Sequence, residues 1–242
     1  MSIGRAEQIS TAAADYQTQP IALSGVALVA DHSGALYWPD ERLLVVADLH
    51  LEKASAHAAR GIMLPPYDTA ETLMRLAAVI ARYQPTVVVA LGDSLHDRGA
   101  ALRLGAESHR ALAELQSRRS WIWVTGNHDP EIDMALGGQV VDGLDLRGLR
   151  LQHAPSEGPA AGEIAGHLHP AARISIKGSV LRRPCFVGDG ERLVLPAFGA
   201  FTGGLNVFDA AFEPLFGARD RRVWMLGRDG VYPVAASQLG PD

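Results

Sequence analysis

Five short stretches of this 242-residue chain hold most of the side chains able to do chemistry. They are Asp48-Leu-His50, Gly92-Asp93-Ser-Leu-His96-Asp97, Gly126-Asn127-His128-Asp129, the lone His153, and Gly166-His167-Leu-His169. Between them they contain six of the nine histidines. Carboxylate oxygen, amide oxygen and imidazole nitrogen together suit Mn²⁺, Zn²⁺ or iron, and cysteine has no part in the set. Asp93 has two oxygens and could bridge two such ions held about 3.5–4 Å apart, as in two-metal hydrolases. A single Asp-x-His pair is most often a surface salt bridge. Five stretches in succession, each closing an apolar run, form a constellation.

The elements that must position them are legible as those apolar runs. RLLVVA precedes Asp48, TVVVAL precedes Gly92, WIWVT precedes Gly126, LRLQ precedes His153 and EIA precedes Gly166. Each reads as a buried strand, and in open α/β sheets ligands bind at the carboxyl ends of strands. Residues two apart in an extended segment share a face, so Asp48 and His50 are expected to converge through the pleat. Gly92, Gly126 and Gly166 are expected to supply tight turns.

Around these runs, GVALVA and GALYWP read as a hairpin. A helix is expected from His50 through Ala59, closed by Gly61. PPYDTAETLMRLAAVIARYQP reads as a second helix. Asp68 and Glu71 would form its capping box, and Leu73, Leu76, Ala77 and Ile80 its apolar stripe. A third helix is expected over Leu102 to Arg118. ARISI, PCFVG and RLVLP follow as strands, with a hairpin turning at Arg228-Asp229-Gly230. Strands alternate with helices first and strands dominate later, which predicts an α/β core (α+β overall) completed by a second, more antiparallel sheet. Residues 1–20 are expected to be a flexible tail, and 21–242 one domain.

Asp48-x-His50, Gly92-Asp93-x-x-His96, Gly126-Asn127-His128-Asp129, His153 and Gly166-His167-x-His169 resemble the calcineurin-like metallophosphoesterase superfamily. The resemblance implies a two-sheet β-sandwich flanked by helices. It implies a first metal held by Asp48, His50, Asp93 and His169, and a second held by Asp93, Asn127, His153 and His167. His128 matches the superfamily's catalytic histidine, with His96 or Asp129 orienting it. The implied reaction is in-line hydrolysis of a phosphate ester by a metal-activated water, His128 assisting the leaving oxygen.

His96 occupies a position where phosphoprotein phosphatases carry Asp followed by Arg-Gly; here Asp97-Arg98-Gly99 falls one residue late, and the pattern resembles repair nucleases instead. ADLHLEKASAHAARGIMLPPYDTAETL, LGDSLHD and LPAFGAFTGGLNV resemble the bacterial ligase-associated DNA damage response endonuclease family. That likeness implies two Mn²⁺ ions (Zn²⁺ or Fe being alternatives), a phosphodiester substrate such as DNA, and association with an ATP-dependent DNA ligase and a helicase in repair. A small-molecule phosphoesterase acting on cyclic nucleotides, nucleotide sugars or phosphomonoesters is the alternative.

Bulk properties bear on that choice. The formal charge is −5 and the pI about 6.0, so no global basic field draws the chain to nucleic acid. Lys53, His57 and Arg60 share one helix face just past the first ligands; they could follow a DNA backbone or form an ordinary solvated face. Glu107 among Arg98, Arg103 and Arg110 favours plain ion pairs. Arg182-Arg183 is too short to interpret; Gly199, Gly203 and Gly204 read as turn glycines, the alternative being a close approach of backbone to the cleft; Tyr67 is expected to cover the core, the alternative being a ring for a base. No run approaches the ~20 apolar residues of a membrane span, and the single Cys185 fits a reducing cytoplasm.

Overall fold

The computed structural model describes residues 17–176, 178–216 and 221–242. Of the expected tail, residues 1–16 lie outside the described residues, whereas Thr18 to Pro20 open a strand. The chain runs β1 (Thr18–Leu23), β2 (Val26–Asp31), β3 (Leu36–Trp38), β4 (Leu43–Val46), α1 (Lys53–Ala58), α2 (Asp68–Tyr83) and β5 (Val87–Leu91). Next come α3 (Ala100–Arg103), α4 (Ala106–Gln116), β6 (Ser120–Val124), β7 (Gln139–Val141), β8 (Leu144–Leu146), β9 (Leu149–Gln152) and β10 (Glu163–Ala165). It closes with β11 (Ala171–Ile176), β12 (Ser179–Gly188), β13 (Arg192–Val194), β14 (Arg222–Leu226), β15 (Val231–Val234) and β16 (Leu239–Gly240).

Two mixed sheets result. The first has the order β1-β2-β3-β4-β5-β6-β7, antiparallel up to β4 and parallel from β4 to β7. The second follows β15-β14-β12-β13-β10-β9-β8, with β11 and β16 continuing from β12. β10 lies parallel to both β9 and β13, and the other pairings along this path are antiparallel.

The strand pleat explains the layers. In β4, Leu44 and Val46 face the helices while Leu43 and Val45 face the second sheet. β5 divides in the same way, Val88 and Ala90 against Val89 and Leu91. Strands buried on both faces cannot alternate with polar residues, hence their continuous apolar runs. The sheets meet through Leu149, Leu151, Ile164, Phe186 and Leu193. Cys185, Val187 and Val223 on the second sheet's outer face are covered by Phe212 and Phe216.

Several local expectations need correction. Asp68 does not cap its own helix; its carboxylate accepts the Ala54 N–H at 3.0 Å, and Thr69 Oγ1 accepts the Glu52 N–H at 2.8 Å. The start of α2 therefore caps α1. Its buried stripe is Leu73, Leu76, Val79 and Ile80, and Ala77 is exposed. The third helix breaks into α3 and α4 because Leu104 adopts an extended conformation before Gly105. Tyr67 is largely exposed and covers no core.

Candidate metal centre

Parallel pairing sets Val46 beside Ala90 and Leu91 beside Val124, so β4, β5 and β6 end at one edge of the first sheet. In the second sheet Gln152 pairs with Ala165, which sets the residues after β9 and β10 side by side. Stacking of the two sheets through Ala47, Leu91, Val124, Leu151 and Ile164 brings all five strand ends together. The loops are then laced by backbone hydrogen bonds: Asp48 N–H to Gly92 O at 3.2 Å, His50 N–H to Asp93 O at 2.9 Å, and Gly166 N–H to His153 O at 2.8 Å.

Asp48 and His50 do converge, but not through the pleat. Both lie past the end of β4 in left-handed backbone, at φ 55° and 44°. Asp93, His167 and His169 are left-handed as well, at φ 46°, 70° and 46°. Non-glycine residues adopt this region at a cost of roughly 1–3 kcal/mol each, and such strain collects at functional sites. Gly92 is a left-handed turn residue as expected, whereas Gly126 and Gly166 are needed for room. A Cβ on Gly126 would sit 2.2 Å from Asp93 N, and one on Gly166 would sit 2.7 Å from Asp48 Oδ2.

Three groups of donor atoms result; one is His50, His96 and His128, and the other two hold the expected ligands. Of these two, Asp48, His50 and His169 form the first, and Asp93, His153 and His167 the second, with ligand atoms within 4.8 Å of one another in each. Asn127 joins the second, its Oδ1 lying 2.9 Å from His153 Nε2. Asp93 stands between them, with Oδ2 4.0 Å from His50 Nε2 and Oδ1 3.4 Å from His153 Nε2. This is the disposition of a bridging carboxylate.

The donors fit metal ions on a further count. His50 Nε2 faces His169 Nε2 at 3.3 Å, and His153 Nε2 faces His167 Nδ1 at 3.1 Å. Facing imidazole nitrogens share at most one proton between them; a cation uses both lone pairs. Burial and the neighbouring His169 push His50 down to about 3, and burial and His153 lower His167, leaving both neutral as ligation requires. Burial works against the Asp93 charge, but hydrogen bonds from His153 and the His128 N–H win and hold it at about 2. His153 is raised despite its burial, by Asp93 and Asp48.

His128 reaches in from the β6 loop. Its Nδ1 lies 2.6 Å from the His96 carbonyl oxygen, which makes Nδ1 the protonated donor and leaves Nε2 facing Asp93 Oδ2 at 3.9 Å. The His128 Nδ1 is thus held by the main chain of His96, and the hydrogen bonds of Asp129 go to other groups. The His96 ring sits at the edge of the centre, with ring centroids 5.4 Å from His128 and 5.5 Å from His50. Burial and His128 push it down to about 4. Asp129 is fully buried beside Asp93. Its carboxylate accepts the N–H groups of Ser94, Leu95 and Gly126 at 2.7, 3.0 and 3.0 Å, latching the β5 and β6 loops together. Burial, reinforced by the charge of Asp93, raises it to about 6 against those donors.

Two of the three expected substrate contacts border the centre. Lys53 donates from Nζ to the Phe201 carbonyl at 3.0 Å, and His57 stacks on His96 with centroids 5.6 Å apart. Arg60 is exposed past the end of α1, and no hydrogen bond or ion pair among the described residues ties it to the site. Sequence reasoning missed Phe201, left-handed at φ 56° and 53% exposed on the rim. The Gly-rich run around it was visible, but nothing local shows that the chain there returns to Asp48, where Gly199 N–H donates to Asp48 O at 3.1 Å.

Residues 41–181 match the family model for calcineurin-like phosphoesterases. Among solved structures, a nuclease of Pseudomonas putida, MPE, is 34% identical with a TM-score of 0.69, covering 90% of this chain and 100% of that one. Yfce, a phosphoesterase from E. coli, is 18% identical with a TM-score of 0.37, over 81% of this chain and 94% of that one. A protein of unknown function from Aquifex aeolicus is 18% identical with a TM-score of 0.36, over 52% and 78%. No curated protein matches significantly.

Proposed function

The chain belongs to the calcineurin-like phosphoesterase family, and on that premise we propose that this metal-dependent phosphoesterase hydrolyses the phosphodiester bonds of DNA. The carrying observation is the pair of donor clusters joined by Asp93. Asp48, His50, Asp93 and His169 would hold one ion, and Asp93, Asn127, His153 and His167 the other; the donors suit Mn²⁺, Zn²⁺ or iron, and the likeness to the ligase-associated endonuclease family favours Mn²⁺. When bound, the ions supply Lewis acidity toward the phosphoryl oxygens and a water nucleophile active near neutral pH.

The chain's own residues do the rest. Asp93 fixes the spacing of the two clusters. His128, acting as the doubly protonated imidazolium with its Nδ1–H held by the His96 carbonyl, would give its Nε2 proton to the leaving oxygen and be left neutral. Asp129 keeps the loops carrying Asp93 and His128 in register. Likeness to a nuclease supports a polynucleotide substrate, and so does the rim, where exposed Phe201 offers a ring for a base and Lys53 a cation beside it. Repair of DNA in the cytoplasm, alongside an ATP-dependent ligase and a helicase, belongs to the same proposal; among the described residues no helix is long and apolar enough to cross a membrane.

The net charge of −5 favours a second reading, a phosphoesterase of small molecules. Incubating the Mn²⁺-loaded chain with single-stranded DNA, flapped DNA and cyclic nucleotides decides between them. The proposal expects DNA cleavage without turnover of cyclic nucleotides, and the reverse pattern overturns it.

A further inference from the structure

Beside the centre lies a cavity of about 120 Å³, lined among others by His169, Arg182, Arg183, Thr202, Gly203 and Gly204. We propose that it is a second anion site, which takes the phosphate next along the strand from the one being cleaved. The proposal rests on the nucleic-acid reading above and adds to it a subsite for the flanking nucleotide.

Size comes first. The cavity is smaller than the roughly 300 Å³ at which small-molecule pockets begin, yet it has room for a phosphoryl group. Charge comes second. Arg182 is already held, donating to the Gly204 carbonyl at 2.6 Å and to Asp242 at 2.9 and 3.2 Å. Arg183 donates only to the Arg182 carbonyl, at 3.2 Å, and no carboxylate among the described residues lies within ion-pair distance of it. Its planar fork suits phosphate, and from the pleat face it shares with Leu181 it borders this cavity as well as an apolar one of about 540 Å³.

Neutral donors line the same space. Thr202 Oγ1 is buried without a hydrogen-bond partner. The N–H groups of Thr202, Gly203 and Gly204 donate to no protein acceptor among the described residues. Successive free amides of this kind form anion-binding concavities. The glycines are also required sterically. A Cβ on Gly204 would sit 2.1 Å from the His169 carbonyl oxygen, so the cavity wall lies directly on the backbone of an expected metal ligand. An anion there and a phosphate at the metals would be near neighbours. A substrate carrying only one phosphate leaves the cavity to water, whereas a polynucleotide fills it.

The test compares two inhibitors of aryl phosphodiester hydrolysis by the Mn²⁺-loaded full chain. Thymidine 3′,5′-bisphosphate carries a second phosphate and thymidine 5′-monophosphate does not. The bisphosphate is expected to inhibit at about tenfold lower concentration, as one charge-assisted contact provides. In Arg183→Met that advantage should shrink to about twofold, and in Thr202→Val it should fall partway. With DNA, Arg183→Met should raise KM relative to that for the aryl diester by about tenfold and reduce the salt dependence of binding by about one phosphate contact. Equal inhibition by the two nucleotides in the wild type, or an advantage that survives Arg183→Met, overturns the proposal. Failure of the wild type to cut DNA would instead strike the nucleic-acid reading, and the inhibitor comparison would still decide the cavity.

Discussion

Strand β10 is only 3 residues long, yet it joins two buried polar centres of opposite character. At its amino end Glu163 pairs with Arg192, both 2% exposed. The other Glu163 oxygen accepts Gln152 Nε2 and Ser156 N–H, each at 2.8 Å. The Arg192 guanidinium also donates to the carbonyls of Ser156, Gly158 and Leu215 at 2.8, 2.8 and 3.1 Å. The chain answers this pair completely. At the carboxyl end, beyond Gly166, imidazole nitrogens face other imidazole nitrogens, and among the described residues Asp48 and Asp93 have only histidines within ion-pair distance, no Lys or Arg. Burying polar groups is therefore not what marks the functional site. A functional centre is recognised by a network that the polypeptide leaves incomplete and that ions would complete.

If that contrast is right, mutations at the two ends should fail in different ways. The largest effect is expected from Asp93→Asn. Removing the negative charge from the expected bridging position should lower Mn²⁺-dependent aryl phosphodiesterase activity by on the order of 10³-fold or more. The rise in melting temperature that Mn²⁺ gives the wild type should shrink with it. Full activity in this variant would break the comparison, since the incomplete network would then not be the site. Arg192→Ala should act on the fold instead. Stranding Glu163 without its partner should cost about 3–5 kcal/mol in denaturant unfolding, while the stabilisation by Mn²⁺ persists. Replacing both partners together, Glu163→Leu with Arg192→Met, should recover most of that loss. If the double variant proves as weak as the single one, the pair does more than satisfy itself.

The same contrast explains what could be read in the sequence. All seven expected ligands arrive in or beside the two donor clusters, because each belongs to a residue type rarely left at the end of an apolar strand without a reason. The expected route was wrong for Asp48 and His50: left-handed backbone is invisible in residues that are not glycine. Asp129 looked catalytic because it follows His128, but adjacency in sequence does not say where a side chain points, and this one turns inward to three amides. Glu163 and Arg192 lie 29 residues apart with no spacing rule to join them, so a fully satisfied pair leaves no local trace. Ala77 was placed in the buried stripe by ideal helical periodicity, yet Val79 is buried and Ala77 is not, because packing against α4 and the first sheet sets the rotation of α2. The two arginines beside His169 meant nothing until the loop around Thr202 was folded against them.

The smallest expected effect sharpens the comparison through pH. His50 and His96 are held well below their ordinary value of 6.5, at about 3 and about 4, by burial and by imidazole neighbours. The unfolded chain therefore binds more protons at these positions than the folded chain does, and stability must fall as pH drops below about 6.5. Asp129 runs the other way, since its folded value of about 6 lies above the ordinary 3.8; between those values the folded state takes up the extra proton and the loss is partly offset. In metal-free protein, urea unfolding should show stability declining gently from pH 6.5, with the slope easing below about pH 6. Adding Mn²⁺ should steepen the decline, because protons and ions compete for the same nitrogens. In Arg192→Ala the steepening by Mn²⁺ should persist, since the imidazoles that protons and ions compete for lie at the other end of β10. A metal-free protein whose stability is flat from pH 7 to 5 would mean that the imidazoles are not held neutral by burial, and the incompleteness assigned to the carboxyl end of β10 would lose its electrostatic basis.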